Sequence, residues 1–293
     1  MRSDLKQVNG GPRGRPRHLA LAYDGWAPVD ETGEDAGKVA RGDRAKWLQD
    51  LCDVPIAEHY THFFNRWDES FSVDCKRRLH TKSRLLVGHG NASATEVGIT
   101  LHHTWGVPFI PGSALKGLCA HYVAQTYGNA TNPAAPADEE NIPSGFRGRR
   151  WDQDRKRIIA APGGDYSILF GAPDVDDEHP ASAGHVVFHD ALYDPGSETS
   201  NKPFAVDVIT VHQLSYYGQG KPKVEPGVRW PNDYASPNPV GFITVRPGAR
   251  FLIALTGPED WTALAMHFLL EAIDNWGIGA KTSAGYGRGH VSP

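Results

Sequence analysis

WTALAMHFLLEAIDNWGIGAKTSAGYGRGH, residues 261–290, reads as a helix, a glycine-rich turn and the beginning of a strand. Trp261, Leu264, Ala265, Phe268, Leu269, Ala272, Ile273 and Trp276 keep one helical face apolar, and Gly277 stands where a helix stops on a residue with positive φ. The loop that follows, GIGAKTSAGYGRG at 277–289, has five glycines in thirteen residues. Glycines let backbone amides come close to a ligand, so Gly279 and Gly285 are candidate contacts. Lys281 and Arg288 add positive charge, and Tyr286 offers a face on which a base can stack. Two familiar phosphate loops do not fit. A dinucleotide loop opens a helix after a strand, whereas this one closes a helix before a strand. A Walker A loop needs Gly before the lysine, and Ala280 precedes Lys281. Taken alone, such a connection is turn chemistry as readily as a binding loop.

Working outward, the next informative stretch is IPGSALKG, 110–117. Leu115, Leu118, Cys119, Tyr122 and Val123 recur at helical spacing, with Pro111 and Gly112 fixing the turn and Ser113 as the expected N-cap. Lys116 falls in the first turn, where the helix dipole disfavours a cation by about 0.3–1 kcal/mol unless an anion is near. A phosphate would satisfy both the free amides and the lysine; alone, Lys116 reads as a side chain snorkelling into water. Strands are expected at 84–87, paired with 97–101, then at 185–192, 205–211, 240–245, 249–255 and 284–291. The order strand, helix, strand, strand, helix, strand is the ferredoxin-like (RRM-like) pattern, an α+β fold with an antiparallel sheet. In that fold the two phosphate-friendly stretches can share one surface, and we expect them to form a single groove for a sugar–phosphate backbone.

Around this core, residues 1–18 form a Gly/Pro/Arg-rich arm expected to be disordered, and 19–75 a helical N-terminal extension with two helices broken at Pro55. The 76–293 domain carries long insertions at about 128–165 and 213–239; the second holds Tyr216, Tyr217, Trp230 and Tyr234. Thirty basic against 34 acidic residues give a formal charge of −4, which excludes a uniformly basic nucleic-acid wrapper but allows local patches. Three cysteines, Cys52, Cys75 and Cys119, have neither disulfide-framework nor zinc-site spacing, which fits a reducing cytoplasm. The N-terminus has no apolar signal region, and no apolar run reaches the roughly 20 residues that span a bilayer. No membrane partner, cofactor or metal site is expected.

Fourteen histidines raise the alternative of an endoribonuclease, with His89 or His103 as base beside Lys116 and Tyr286. His102 and His103 point to opposite faces of an extended chain, and His185 and His189 stand about 13 Å apart on a strand. Structural histidines are therefore the reading, with no catalytic residue assigned. Asp68 and Asp74 read as solvated or capping acids, and DVDDE at 174–178 as a surface turn. The cluster FRGRRWDQDRKR, 146–157, suits phosphate contact with stacking on Trp151 and a solvated face equally well. A weaker third alternative is a nucleotide-binding regulator using the terminal loop.

IPGSALKG followed by GIGAKTSAGYGRG resembles the RAMP superfamily of CRISPR systems. LLVGHG at 85–90, FHDALYDP at 188–195, DVITVHQLSYY at 207–217 and PNDYASPNPVGFITV at 231–245, in that order, are similar to the RAMP family that supplies the sixth subunit of type III-B (Cmr) effector complexes. The resemblance covers about residues 80–291. It implies a non-catalytic subunit that contacts the 3′ part of the CRISPR RNA and its target RNA. Implied protein partners are a backbone RAMP subunit, the head RAMP subunit and the small helical subunit. By motif, Ser113, Lys116, Lys281, Tyr286 and Arg288 inherit the RNA-facing role, and the 213–239 excursion corresponds to a thumb inserted between duplex segments. The 128–165 insertion departs from the family pattern.

Overall fold

A computed structural model describes residues 18–25, 41–91, 93, 97–128, 145–154, 156–199, 201–211 and 237–292. The basic arm up to residue 17, the 129–144 part of the first insertion and residues 212–236 of the second lie outside them.

Three helices come first: α1 (Leu19–Gly25), α2 (Arg41–Cys52) and α3 (Tyr60–Glu69). Then follow β1 (Lys76–Thr81), β2 (Phe109–Ile110), α4 (Gly112–Thr126), a hairpin of β3 (Arg150–Asp152) and β4 (Arg157–Ala160), and α5 (Gly164–Phe170). The remainder is β5 (Gly171–Ala172), β6 (Ser182–Ala183), β7 (Val187–Phe188), β8 (Ala191–Tyr193), β9 (Phe204–Val211), β10 (Asn238–Val245), β11 (Arg250–Thr256), α6 (Glu259–Trp276) and β12 (Gly289–Ser292).

The main sheet runs β12-β1-β11-β8-β2, every pair antiparallel, with β7 also on β11. Counting core strands as β1, β8, β11 and β12 gives the spatial order 4-1-3-2 with α4 after the first and α6 after the third. That is the ferredoxin-like arrangement expected from the sequence. β9 and β10 form a separate two-stranded ribbon inserted between the second and third core strands.

The first core strand is not where the sequence placed it. Residues 84–87 make a single bridge, Leu85 to Val245, and 97–101 contribute the Leu101–Pro108 bridge and one bond to that segment, Thr100 N–H to Val87 O at 2.8 Å. The strand is instead KRRLHT, 76–81. Its alternation explains the disguise. Leu79 is fully buried and Thr81 nearly so, while Lys76, Arg78 and His80 face the other way.

That second face is covered by α3. The Asp68 carboxylate lies 2.6 Å from Lys76 Nζ and 2.7 Å from Arg78 Nη2, and Arg78 and Arg250 both reach Asp194. Phe63 packs on His102, which packs on Phe109, and Trp67 packs edge-on against His189. Asp68 is thus an anchor between helix and sheet, not the solvated or capping acid expected. Burial raises its carboxyl pKa, but hydrogen bonds and charge from Lys76 and Arg78 outweigh that and hold it below the usual carboxylate value. The opposite set, Leu79, Phe251, Ile253 and Leu255, is fully buried and available to α4 and α6. Leu19, Tyr23, Leu48, Leu51, Tyr60 and Phe64 join the same hydrophobic cluster, so the N-terminal helices share the domain's core.

Candidate nucleic-acid interface

Helix α4 begins at Gly112, and the residue before it, Pro111, offers no side-chain cap. Ser113 is therefore inside the first turn and exposed, not the N-cap. The cap comes from far along the chain: Gly112 N–H donates to Asp190 Oδ1 at 2.7 Å. A negative charge already sits at this helix start, so no external phosphate is needed to satisfy that amide. A Cβ on Gly112 would lie 2.0 Å from the Phe188 carbonyl oxygen, so close docking of α4 on 188–190 requires glycine.

The glycine-rich loop is also organised from within. Ala280 N–H donates to Leu86 O and Gly287 N–H to Arg84 O, each at 2.7 Å, and Ile278 N–H donates to Gly287 O. These bonds hold 84–87 away from regular strand pairing. A Cβ on Gly287, at φ +66°, would sit 1.8 Å from Ile278 O, so this glycine serves the loop's own backbone crossing. The sequence expected a cradle of open amides, but several of these donors are taken up inside the fold.

What the loop presents is charge. Lys281 is held at φ +60° before a short 3₁₀ turn, half-buried, and Lys82 nearby in the chain fold is exposed. Lys82 N–H donates to Arg288 O, which places its backbone at the loop's exit. Gly279 and Gly285 are exposed at the loop surface, and Gly285 has open space where a Cβ would stand. His89 lies within reach of the Lys281 charge; burial first, then that charge, hold its imidazole pKa below the ordinary value, which favours the neutral ring.

Tyr286 and Arg288 have other occupations. The Tyr286 hydroxyl donates to Asp207 Oδ2 at 2.8 Å, and Arg84 pairs with the same oxygen at 3.4 Å while donating to Val206 O. This cluster ties loop, 84–87 segment and β9–β10 ribbon together. Arg288 donates to Asn275 O and Thr282 O, bracing the C-terminal end of α6, where cations are favoured.

The expected single groove divides in two. Gly112 sits beside 188–190, opposite the Ala254–Leu255 end of β11, whereas the loop exits beside Thr81 and Ala249. At about 3.3 Å per residue these positions are roughly 18 Å apart along the sheet. Ser113 and Lys116 line their own groove of about 620 Å³ along α4, with His121, Gln125, Arg149 and Tyr166 among its walls. No loop residue lines it, but the His121 ring packs 5.3 Å from Trp276, the residue before the loop. Helix α4 therefore connects the two patches. Asp190, Asp207 and Arg149 lie inside stretches the sequence singled out, but their roles, like those of Arg84 and Lys82, are revealed only by contacts across the fold.

The RAMP superfamily family model matches residues 78–290. The CRISPR system Cmr subunit Cmr6 of Pyrococcus furiosus is 32% identical over 234 residues, 72% of this chain and 66% of that protein, so the chain spans just under two thirds of its length. A solved chain of the type III-B Cmr-beta complex bound to cognate target RNA has a TM-score of 0.55 at 17% identity, covering 91% of this chain and 78% of that one. The crystal structure of Cmr6 from Pyrococcus furiosus has a TM-score of 0.41 at 28% identity, covering 73% of this chain and 96% of that one.

Proposed function

Because the chain belongs to the RAMP superfamily, we propose that it is a non-catalytic, RNA-binding subunit of a type III-B CRISPR (Cmr) effector complex. In this reading it holds the 3′ part of the CRISPR RNA and its target duplex and caps the backbone filament against other Cmr subunits. The name of the curated relative supports the assignment to such a complex. The observation that carries the RNA reading is the loop end of the molecule, where Lys281 and Lys82 stand on a backbone whose amides are largely bonded internally. Phosphate is then held by charge from a rigid support, without reading base edges. Lys116 extends the same chemistry along α4.

No step of catalysis is assigned. Burial lowers the pKa values of His89, His102 and His189, and His189 is hydrogen-bonded to Thr256 and packed by Trp67 and Phe71. The decisive experiment is co-purification of the tagged full chain with its effector proteins and guide RNA. We expect Cmr-type subunits and CRISPR RNA to accompany the wild type, and Lys281→Glu to reduce RNA recovery while leaving thermal unfolding unchanged. Full recovery with Lys281→Glu and Lys116→Glu combined contradicts the reading.

A further inference from the structure

The insertion after α4 has no role in the proposal above, yet its described part builds an unusual surface. By sequence the segment 145–160 holds six basic residues against two acids, Asp152 and Asp154, a local formal charge of +4 on a chain whose formal net charge is −4. On this cationic background the β3–β4 hairpin leaves Trp151 55% exposed and Ile159 40% exposed. A buried location is the rule for an indole; this one stands in water between Arg150 and the turn. Asp152 Oδ1 accepts from Asp154 N–H at 2.9 Å, so one of the two acids closes the hairpin turn.

The hairpin continues into the α4 groove through Arg149, which lines it together with Lys116. Tyr166 lines the same groove as Arg149. Among the described residues none that lines the groove is a carboxylate, and Gly117, Gly148 and Gly171 are part of its walls. Among the described residues neither Lys116 nor Arg149 is in an ion pair. Two cations lining one groove attract a polyanion, and an exposed indole next to Arg150 in the chain attracts planar faces.

We propose that the β3–β4 hairpin and the α4 groove form a second platform for single-stranded RNA, with Lys116 and Arg149 on phosphates and Trp151 stacked on a base. This rests on the RNA reading given above and assigns the insertion to the same ligand class. A protein partner would use the exposed Trp151 and Ile159 but has no need of the acid-free groove, so the charge pattern favours RNA.

The test is fluorescence anisotropy of a labelled 20-nucleotide single-stranded RNA titrated with the full chain at several salt concentrations. Trp151→Ala is expected to weaken binding roughly 5- to 150-fold, the range for losing one base–aromatic stack, with Trp151→Phe retaining most of it. Arg149→Gln is expected to flatten the salt slope by about 0.7, one phosphate contact of a single strand. All these side chains are exposed, so thermal unfolding serves as the control for intact folding. If the hairpin variants bind RNA like the wild type while Lys281→Glu binds weakly, the platform is refuted and the RNA reading stands. If Lys281→Glu is also unchanged, both fall. Unchanged RNA affinity with loss of a co-purifying protein would refute the platform as well.

Discussion

At the scale of single residues, Asp190 has the clearest job. It supplies from 78 positions away the carboxylate that caps α4. Asp190→Ala should cost about 1 kcal/mol, the usual worth of an N-cap, and lower the midpoint of thermal unfolding by a few degrees. Asp190→Asn, which keeps an acceptor oxygen, should lose much less; equal losses would show that the side chain acts by packing. FHDALYDP marked this stretch in the sequence, but a cap partner is fixed by where β8 docks, which no local spacing reveals. The reverse holds for Gly279 and Gly287. Their glycine-richness was plain, yet its main use is to let the loop cross Leu86 and Ile278. Sequence shows that a backbone must come close to something; only the fold shows whether that is a ligand or the chain itself.

At the scale of elements, α3 is held on the sheet by Asp68 bridging Lys76 and Arg78. The Asp68 carboxyl titrates below the usual range in the folded state, so its contribution is complete above the unfolded value of about 3.9 and is lost as pH falls through the folded value. Asp68→Asn should therefore destabilise the protein at pH 7 by about 1–2 kcal/mol, reduced by its partial exposure, and the gap from wild type should begin to narrow below about pH 4. Chemical denaturation at pH 7 and at pH 3.5 checks both parts; a gap independent of pH would mean that the ion pairs contribute nothing. The same network accounts for the missed first strand. Lys76, Arg78 and His80 alternate with Arg77, Leu79 and Thr81, so KRRLHT lacks the apolar alternation of a strand until Asp68 from α3 and Asp194, just after β8, neutralise it. Helix α6, whose apolar face is continuous from Trp261 to Trp276, needed no distant partner to be read, and neither did β9, β10 and β11.

At the scale of the whole molecule, the sheet order 4-1-3-2 follows from the succession of elements, but the distance between the two phosphate-friendly stretches does not. The long excursion from Thr81 to Phe109 brings β2 to the far edge of the sheet, so α4 starts beside Phe188 instead of beside the terminal loop. The result is two cationic patches joined along one helix, each on a support already bonded within the fold. Binding by such a surface is electrostatic and indifferent to base sequence.

The salt dependence of RNA affinity tests this most directly. For the full chain and a single-stranded RNA, log K should fall linearly with log salt, with equal slopes for two unrelated sequences, and Lys281→Glu should lower the slope by about 0.7, one phosphate contact. An affinity insensitive to salt, or a slope untouched by Lys281→Glu, would contradict an RNA held by charge at the glycine-rich loop.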